Sequence, residues 1–440
     1  MKTSRMASLA LLACLSGLSM AGSHYVVPPG TPGVAPTPPY ASWETAGTDL
    51  NAVVAAALAG SAPRTVLVTN GVYLLTNQVV VTGALTIESV NGAGVTVVDG
   101  NNHAGKPVTN RCFLLDAEGA VLRGFTIRNG YAVGTDGGGG VCGKGSTSML
   151  IEACRIVNCI ATNGGDLYAN GGGVRLGSPS VMRRCEVIGN TNFGAYGGGA
   201  YNAGGTITEC LIASNAVHYA YNSVGSGTAE ANGGGIMLSS GGTISNCTII
   251  GNTTVRATGS TTSGRYGGGV RVAYGGQIFN TLIYGNSAPQ GGGIWSRDTL
   301  TMQNCTVANN TGGVGIFCSN LANTTNHLQN MISRANTGGD LALNTSGYNY
   351  VRNGCFGTIA FTAPGTFSDN TAGNPLFEDA GTGNYRLTRG SPCINSGLNA
   401  AWMLDAFDLD GNHRIDRQSG RVDMGCFEYT REWGTVIHVK

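Results

Sequence analysis

The chain has 440 residues, of which 72 are glycine and 11% are charged, and its formal net charge is +1. So small a net charge provides no long-range field for nucleic acid or an acidic membrane, and neither Lys nor Arg forms a basic run. Glycine this abundant, with aliphatic and β-branched residues recurring in register, describes tight corners between short extended segments and excludes a disordered chain.

From Met1 to Ala21, Lys2 and Arg5 precede an apolar stretch, Ala7 to Leu18, and the small residues Ser19 and Ala21. This is the pattern of a cleaved secretory signal over residues 1–21, too short to span a membrane, and it places the chain outside the cell or on its surface. Leu11-Leu12-Ala13-Cys14 approximates a lipobox, which keeps a lipoprotein as the second reading. No later stretch reaches membrane-spanning length. Residues 22–44 contain six prolines between Pro28 and Pro39 and read as an extended spacer. Thr48 to Ala59 reads as a helix with Thr48 as N-cap, Leu50, Val53, Val54 and Leu58 on one face, and Gly60 at its end. Such a helix would cover the open strand edges at the end of a stacked sheet. Strand-like segments follow at Thr65 to Val68, Val79 to Thr82, Leu85 to Ile87 and Val95 to Val98.

A repeat begins at Gly138. The triplets Gly138-Gly139-Gly140, Gly171-Gly172-Gly173, Gly197-Gly198-Gly199, Gly233-Gly234-Gly235, Gly267-Gly268-Gly269 and Gly291-Gly292-Gly293 are each followed by an aliphatic residue or Ala. Some fourteen residues after each triplet stands a small side chain: Cys154, Cys185, Cys210, Cys247, Thr281 or Cys305. An apolar residue lies three places before it and another two places after it. Five places after it, five of the six units carry Asn: Asn190, Asn215, Asn252, Asn286 and Asn310. One unit cannot bury its own apolar residues, whereas stacked units can. Equivalent residues would then form columns about 4.8 Å apart, and the architecture predicted is a right-handed parallel β-helix over residues 45–372, all-β apart from its capping helix.

Thirteen cysteines suggest a disulfide framework, but parallel Cβ atoms one coil apart neither approach nor converge enough for a bond. The column cysteines therefore read as small apolar fillers, and Cys393 and Cys426, outside the repeat, as better candidates for a bond.

The repeat resembles that of the pectate-lyase-like superfamily and, more loosely, that of bacterial polymorphic outer-membrane adhesins. In residues 373–440, Asn374-Pro375-Leu376-Phe377, Gly390-Ser391-Pro392-Cys393-Ile394-Asn395-Ser396-Gly397, Asp408-Leu409-Asp410-Gly411-Asn412 and Val422-Asp423-Met424-Gly425-Cys426-Phe427-Glu428-Tyr429 resemble the closing region of exported bacterial choice-of-anchor Q proteins. The resemblance implies an exported surface or secreted protein and carries no activity with it. Residues 430–440 show no LPxTG-like or Pro-Glu-Pro anchor signal.

Acidic residues of the regular coils, Asp136, Glu152, Asp166, Glu186, Glu209, Glu230 and Asp298, form no Asp-Asp pair. Glycoside hydrolysis needs two carboxylates at a set separation. A polysaccharide lyase or glycoside hydrolase is thus the alternative to a non-enzymatic, adhesin-like or glycan-binding protein, expected to be a monomer. Insertions between the Asn corner and the next triplet carry Tyr168, Phe193, Tyr196, His218, Tyr219, Tyr221 and Tyr266, all at one edge. Beside them, strand alternation points Cys142, Arg175, Tyr201, Met237, Arg271 and Trp295 outward, into a stripe that the loops either leave open or fold back over and bury. Arg175, Tyr201, Arg271 and Trp295 are the candidate ligand-binding residues, for an extracellular glycan or a component of a host or neighbouring cell. Asp408, Asp410, Asn412 and Asp416 alternate like a Ca²⁺-binding loop, although Gly411 stands two places too early for an EF-hand; an Asx-stabilised turn fits the same residues.

Overall fold

The computed structural model describes residues 22–103, 110–145, 148–164, 168–218, 230–255, 264–319, 324–343, 347–361 and 364–430. The signal segment, Asp166, Tyr219, Tyr221 and residues 431–440 lie outside them. Among the described residues, sheets of thirteen, eleven, eleven, seven and four strands are parallel throughout, and the chain winds through them in turn. One coil shows the plan. Val174–Gly177 lies on what we call the glycine face, Val181–Arg183 on the middle face, and Glu186–Ile188 on the tail face. Thr191–Asn192 and Ala195–Tyr196 form the loop edge, after which Gly197 begins the next triplet.

Register is kept from coil to coil. Val174 pairs with Ala200, then Ile236, Val270 and Ile294. Met182, Ile207, Ile244, Ile278 and Met302 align on the middle face. Val187, Ile212, Ile249, Ile283 and Val307 align on the tail face. All fifteen are fully buried in one continuous core. The expected cysteine column exists: the backbone N–H groups of Cys154, Cys185, Cys210 and Cys247 point at Cys185 Sγ, Cys210 Sγ, Cys247 Sγ and Thr281 Oγ1, at 3.4–3.5 Å. So does the asparagine column, extended by Asn336. From Asn215 on, each Asn Oδ1 accepts the backbone N–H and the amide of the Asn one coil earlier, as Asn252 does from Asn215 at 2.9 Å. Buried amides satisfied in this way remove a cost that solvent would otherwise have to meet.

A further column occupies left-handed corners. Between the middle and tail faces stand Ala153, Arg184, Glu209, Asn246, Asn280, Asn304, Asn330 and Asn353, with φ between 44° and 55°. Asn tolerates this conformation better than other side-chain-bearing residues, and here it also grips the tail. Asn280 donates to Phe407 O (2.8 Å), Asn304 to Asp423 O (3.0 Å), Asn330 to Leu398 O (2.9 Å) and Asn353 to Ser396 O (3.0 Å). The tail then covers an apolar patch of the tail face, where Leu282 and Ala308 meet Tyr385, Cys426 and Phe427, and Ile332 and Cys355 meet Leu387, Cys393 and Met424. At Gly425, with φ of 88°, an added Cβ would lie 2.8 Å from both Ile332 and Thr306, so only glycine allows this approach.

The N-terminal end differs from expectation in two respects. Ser23–Val26 is the first strand of the middle face, paired with Thr65–Val68, and Tyr25 packs edge-on against Trp43 at 4.4 Å. The proline-rich stretch therefore folds back over the first coil instead of extending, because these apolar side chains give it something to bury. Helix α1, Leu50–Ala59, is capped by Asp49 and not Thr48: the Asp49 carboxylate accepts Asn51 N (2.8 Å) and Ala52 N (3.2 Å). Its buried face is Leu50, Val53, Val54 and Ala57, set over the first strands. No helix among the described residues is long and apolar enough to cross a membrane.

Candidate functional site

The loop edge and the glycine face meet at the triplets. The first glycine of each triplet adopts φ between 59° and 78°. At Gly171 an added Cβ would lie 1.9 Å from Val174 O, and at Gly198 it would lie 2.2 Å from Gly234 O of the next coil. Glycine is required here because corner backbone stacks directly on corner backbone. This sharp corner sets two outward columns beside each other. Asn170, Tyr196, Asn232 and Tyr266 lie on the loop edge; Cys142, Arg175, Tyr201, Met237, Arg271 and Trp295 lie on the glycine face.

Aromatic rings join the columns. Tyr168 stacks on Tyr196 with centroids 4.9 Å apart, and Tyr196 lies 6.3 Å from Tyr201. Further along, Tyr266 and Trp295 are 4.5 Å apart, and the Arg271 guanidinium sits over both, 5.1 and 4.8 Å from their centroids. Arg271 Nη1 donates to Glu230 Oε2 at 2.9 Å. Burial lowers the Arg271 pKa and the Glu230 charge opposes that shift; burial raises the pKa of Tyr196 and Tyr266. Phe193 stacks on His218 at 4.7 Å, and burial lowers the pKa of this histidine.

Exposure divides the predicted stripe. Trp295 is 6% and Arg271 4% exposed, and Met237 and Cys142 are also buried, so at these four positions the stripe is covered and not open. They do point outward from the core. On the loop edge, however, Tyr266 packs against Arg271 and Trp295, and Glu230 against Arg271, which removes these two from water. Arg175 and Tyr201 are half-buried, and Tyr168 and Phe193 are each 42% exposed. The accessible rings are therefore those of the first coils of the edge. Among the described residues, Arg271 Nε, Trp295 Nε1 and Asn232 Oδ1 are buried without a hydrogen-bond partner. Sequence reading missed Glu230 as the partner of Arg271, since its position in an insertion of variable length has no repeat register to align it.

The carboxylates of this region face cations. Asp136 lies 3.9 Å from Arg175 and Glu230 2.9 Å from Arg271. On the other faces, Glu152 is closed in by Arg123, Arg183 and Arg184, and Glu186 pairs with Arg155 at 2.7 Å. Among the described residues, no three His, Cys, Asp or Glu side chains converge in a metal-holding group. In the tail, Asp408 Oδ1 accepts Asp410 N (2.9 Å) and Asn412 N (2.7 Å), while its Oδ2 accepts Asn412 Nδ2 (3.1 Å) and Glu428 N (2.8 Å). Asp410 is forked by Arg386, and Asp416 accepts Gln418 N at 2.8 Å. Asp408 and Asp416 thus accept turn N–H groups, Asn412 donates to Asp408, and Asp410 holds an arginine.

Compared with solved structures, the chain is similar to pectate lyase Pel9A, with a TM-score of 0.57 and 14% identity over 94% of this chain and 98% of that one. The fold is a pectate-lyase-like right-handed parallel β-helix. A rhamnogalacturonan lyase aligns with a TM-score of 0.39 and 13% identity over 92% of this chain and 95% of that one. No protein-family model matches the sequence, and no curated protein matches it.

Proposed function

We propose that this chain is an exported, non-catalytic β-helix that binds an extracellular glycan along its ring-lined edge, in the manner of a surface adhesin. The observation that carries this reading is the ladder of Tyr168, Tyr196 and Tyr201, with Phe193 beside it, set on a stacked backbone and partly open to solvent. Tyrosine faces suit the C–H faces of sugar rings and their hydroxyls suit sugar hydroxyls, and a rigid frame loses little entropy on binding. Arg175 adds a half-buried guanidinium to the same edge. Arg271 and Trp295 act beneath it, as a packed cation–π support. Asp136 and Glu230, the carboxylates beside this edge, each face an arginine, which supports binding over hydrolysis, because hydrolysis needs a free acid and base pair.

The test is a glycan array that includes pectate, the polymer named by the structural neighbour, with and without Ca²⁺. Tyr168→Ala and Tyr201→Ala are expected to weaken binding of the best glycan by about 1–3 kcal/mol each, the scale of interface anchors. Tyr274→Ala, 68% exposed at the far end of a glycine-face strand, is expected to bind as the parent does. If both edge variants bind unchanged, or if unsaturated product appears and is abolished by an acidic-residue substitution, the proposal fails.

A further inference from the structure

Cysteines here occupy two kinds of position. Cys154, Cys185, Cys210 and Cys247 stack in the parallel column, where each of the last three sulfurs accepts a backbone N–H from the coil before, a geometry that keeps neighbouring Cβ vectors parallel. Cys355 is different. It follows Ile332 in the outward register of the tail face and points away from the coil interior, into the patch covered by the tail. Facing it from the tail is Cys393. Both are completely buried and both belong to the cluster of Ile332, Leu387 and Met424. Gly373 fixes the approach independently: its carbonyl accepts Cys355 Sγ at 3.2 Å, and a Cβ added to it would lie 3.2 Å from Pro392, the residue before Cys393. Both are free thiols, and each shifts the ionisation of the other: the pKa of Cys355 is lowered by Cys393, with Arg334 assisting and burial opposing, and that of Cys393 is raised by Cys355 and by burial.

We infer that Cys355 and Cys393 are a disulfide site that locks the C-terminal tail onto the last coils. The Cys355 thiolate attacks one sulfur of an oxidised dithiol oxidase, releasing the other as a thiolate. Cys393, giving up its proton, then displaces the resulting mixed disulfide. One S–S bond forms in this chain, one breaks in the oxidase, and two electrons and two protons pass to the latter. Closure of so long a loop restricts the unfolded chain, and the lock adds to hydrogen bonds that otherwise hold the tail at the Asn corners. Cys426 lies in the neighbouring cluster, beside Thr306, and takes no part.

Trypsin separates the pair, because residues 353–386 and 390–414 each carry a single cysteine. The full chain is refolded in a glutathione redox buffer, alkylated under denaturing conditions and digested without reductant. The expected result is one species joining these two peptides, lost on reduction. The melting temperature is expected to fall on reduction by on the order of 5 °C, and this fall is expected to vanish in Cys393→Ser and in Cys355→Ala. Recovery of both peptides fully alkylated, or linkage of Cys393 to a different cysteine, overturns the inference, and the peptide map decides even if a variant does not fold. None of these readings depends on a glycan.

Discussion

Replacing Asn252 by Ala tests what holds the stack together. The Asn252 side chain makes four hydrogen bonds, all at 2.9 Å: its Oδ1 accepts Asn215 N and Asn215 Nδ2, and its Nδ2 donates to Ile212 O and Asn286 Oδ1. It is completely buried, so no solvent replaces these partners. Four bonds at a net of about 1 kcal/mol each, with about 1–3 kcal/mol more for the stranded Asn215 N–H, give a loss of about 5–7 kcal/mol. Because a solenoid loses structure by neighbouring units, the loss should appear first as local unfolding around this coil. Urea denaturation followed by circular dichroism measures it, with hydrogen exchange locating it. The outward-facing Thr301→Ala, expected to cost no more than about 0.5 kcal/mol, is the control. A loss below about 1 kcal/mol for Asn252→Ala would refute the reasoning and show that apolar columns alone hold the coils.

Two further outcomes concern the tail. Burial pushes Glu428 up to about 8 and Asp423 up to about 6, with Arg414 opposing in both cases. A carboxyl raised above its unfolded value near 4.5 or 3.8 stabilises the fold fully below that value and loses the contribution as pH rises through the folded one. Thermal stability is therefore expected to decline between about pH 5 and pH 8, and Glu428→Gln should flatten most of that slope; a slope of opposite sign would contradict it. Because the Asp408 oxygens are filled by protein donors, Ca²⁺ is expected to leave the melting temperature of the parent unchanged, while Asp408→Ala lowers it. A Ca²⁺-dependent rise that disappears in Asp410→Ala would restore the calcium-loop reading.

The stacked architecture was legible because its signals are periodic. Gly-Gly-Gly-aliphatic, the small column residue and Asn recur at nearly constant spacing, and each maps onto one corner or one inward position. The capping helix was visible for a similar reason, through its apolar spacing, although its N-cap was misplaced by one residue because Thr48 and Asp49 are both competent caps. What could not be read was contact across registers. Strand alternation gave the direction of Trp295 and Arg271 but not their burial, because the covering residues Glu230 and Tyr266 come from insertions without a repeat. The corner asparagines, such as Asn246, could not be told apart as a column, since a sequence does not show φ. Cys355 passed unnoticed because its partner lies in a segment that follows the last coil.

The tail engages asparagine corners from Asn280 to Asn353, whereas the same corner in earlier coils is Ala153, Arg184, Glu209 or Asn246, and Asn246 Oδ1 accepts from Asn280 instead of the tail. Helix α1 at the other end packs on the first strands. The two closures are thus bookends that do not depend on how many shelves stand between them. Whole coils in the Gly138 to Asn246 stretch, the part that carries Tyr168, Tyr196 and Tyr201, can be gained or lost by duplication and deletion without rewriting either end. Length along the ring-bearing edge is for this reason a separate variable from stability at the termini, open to selection for longer or shorter partners.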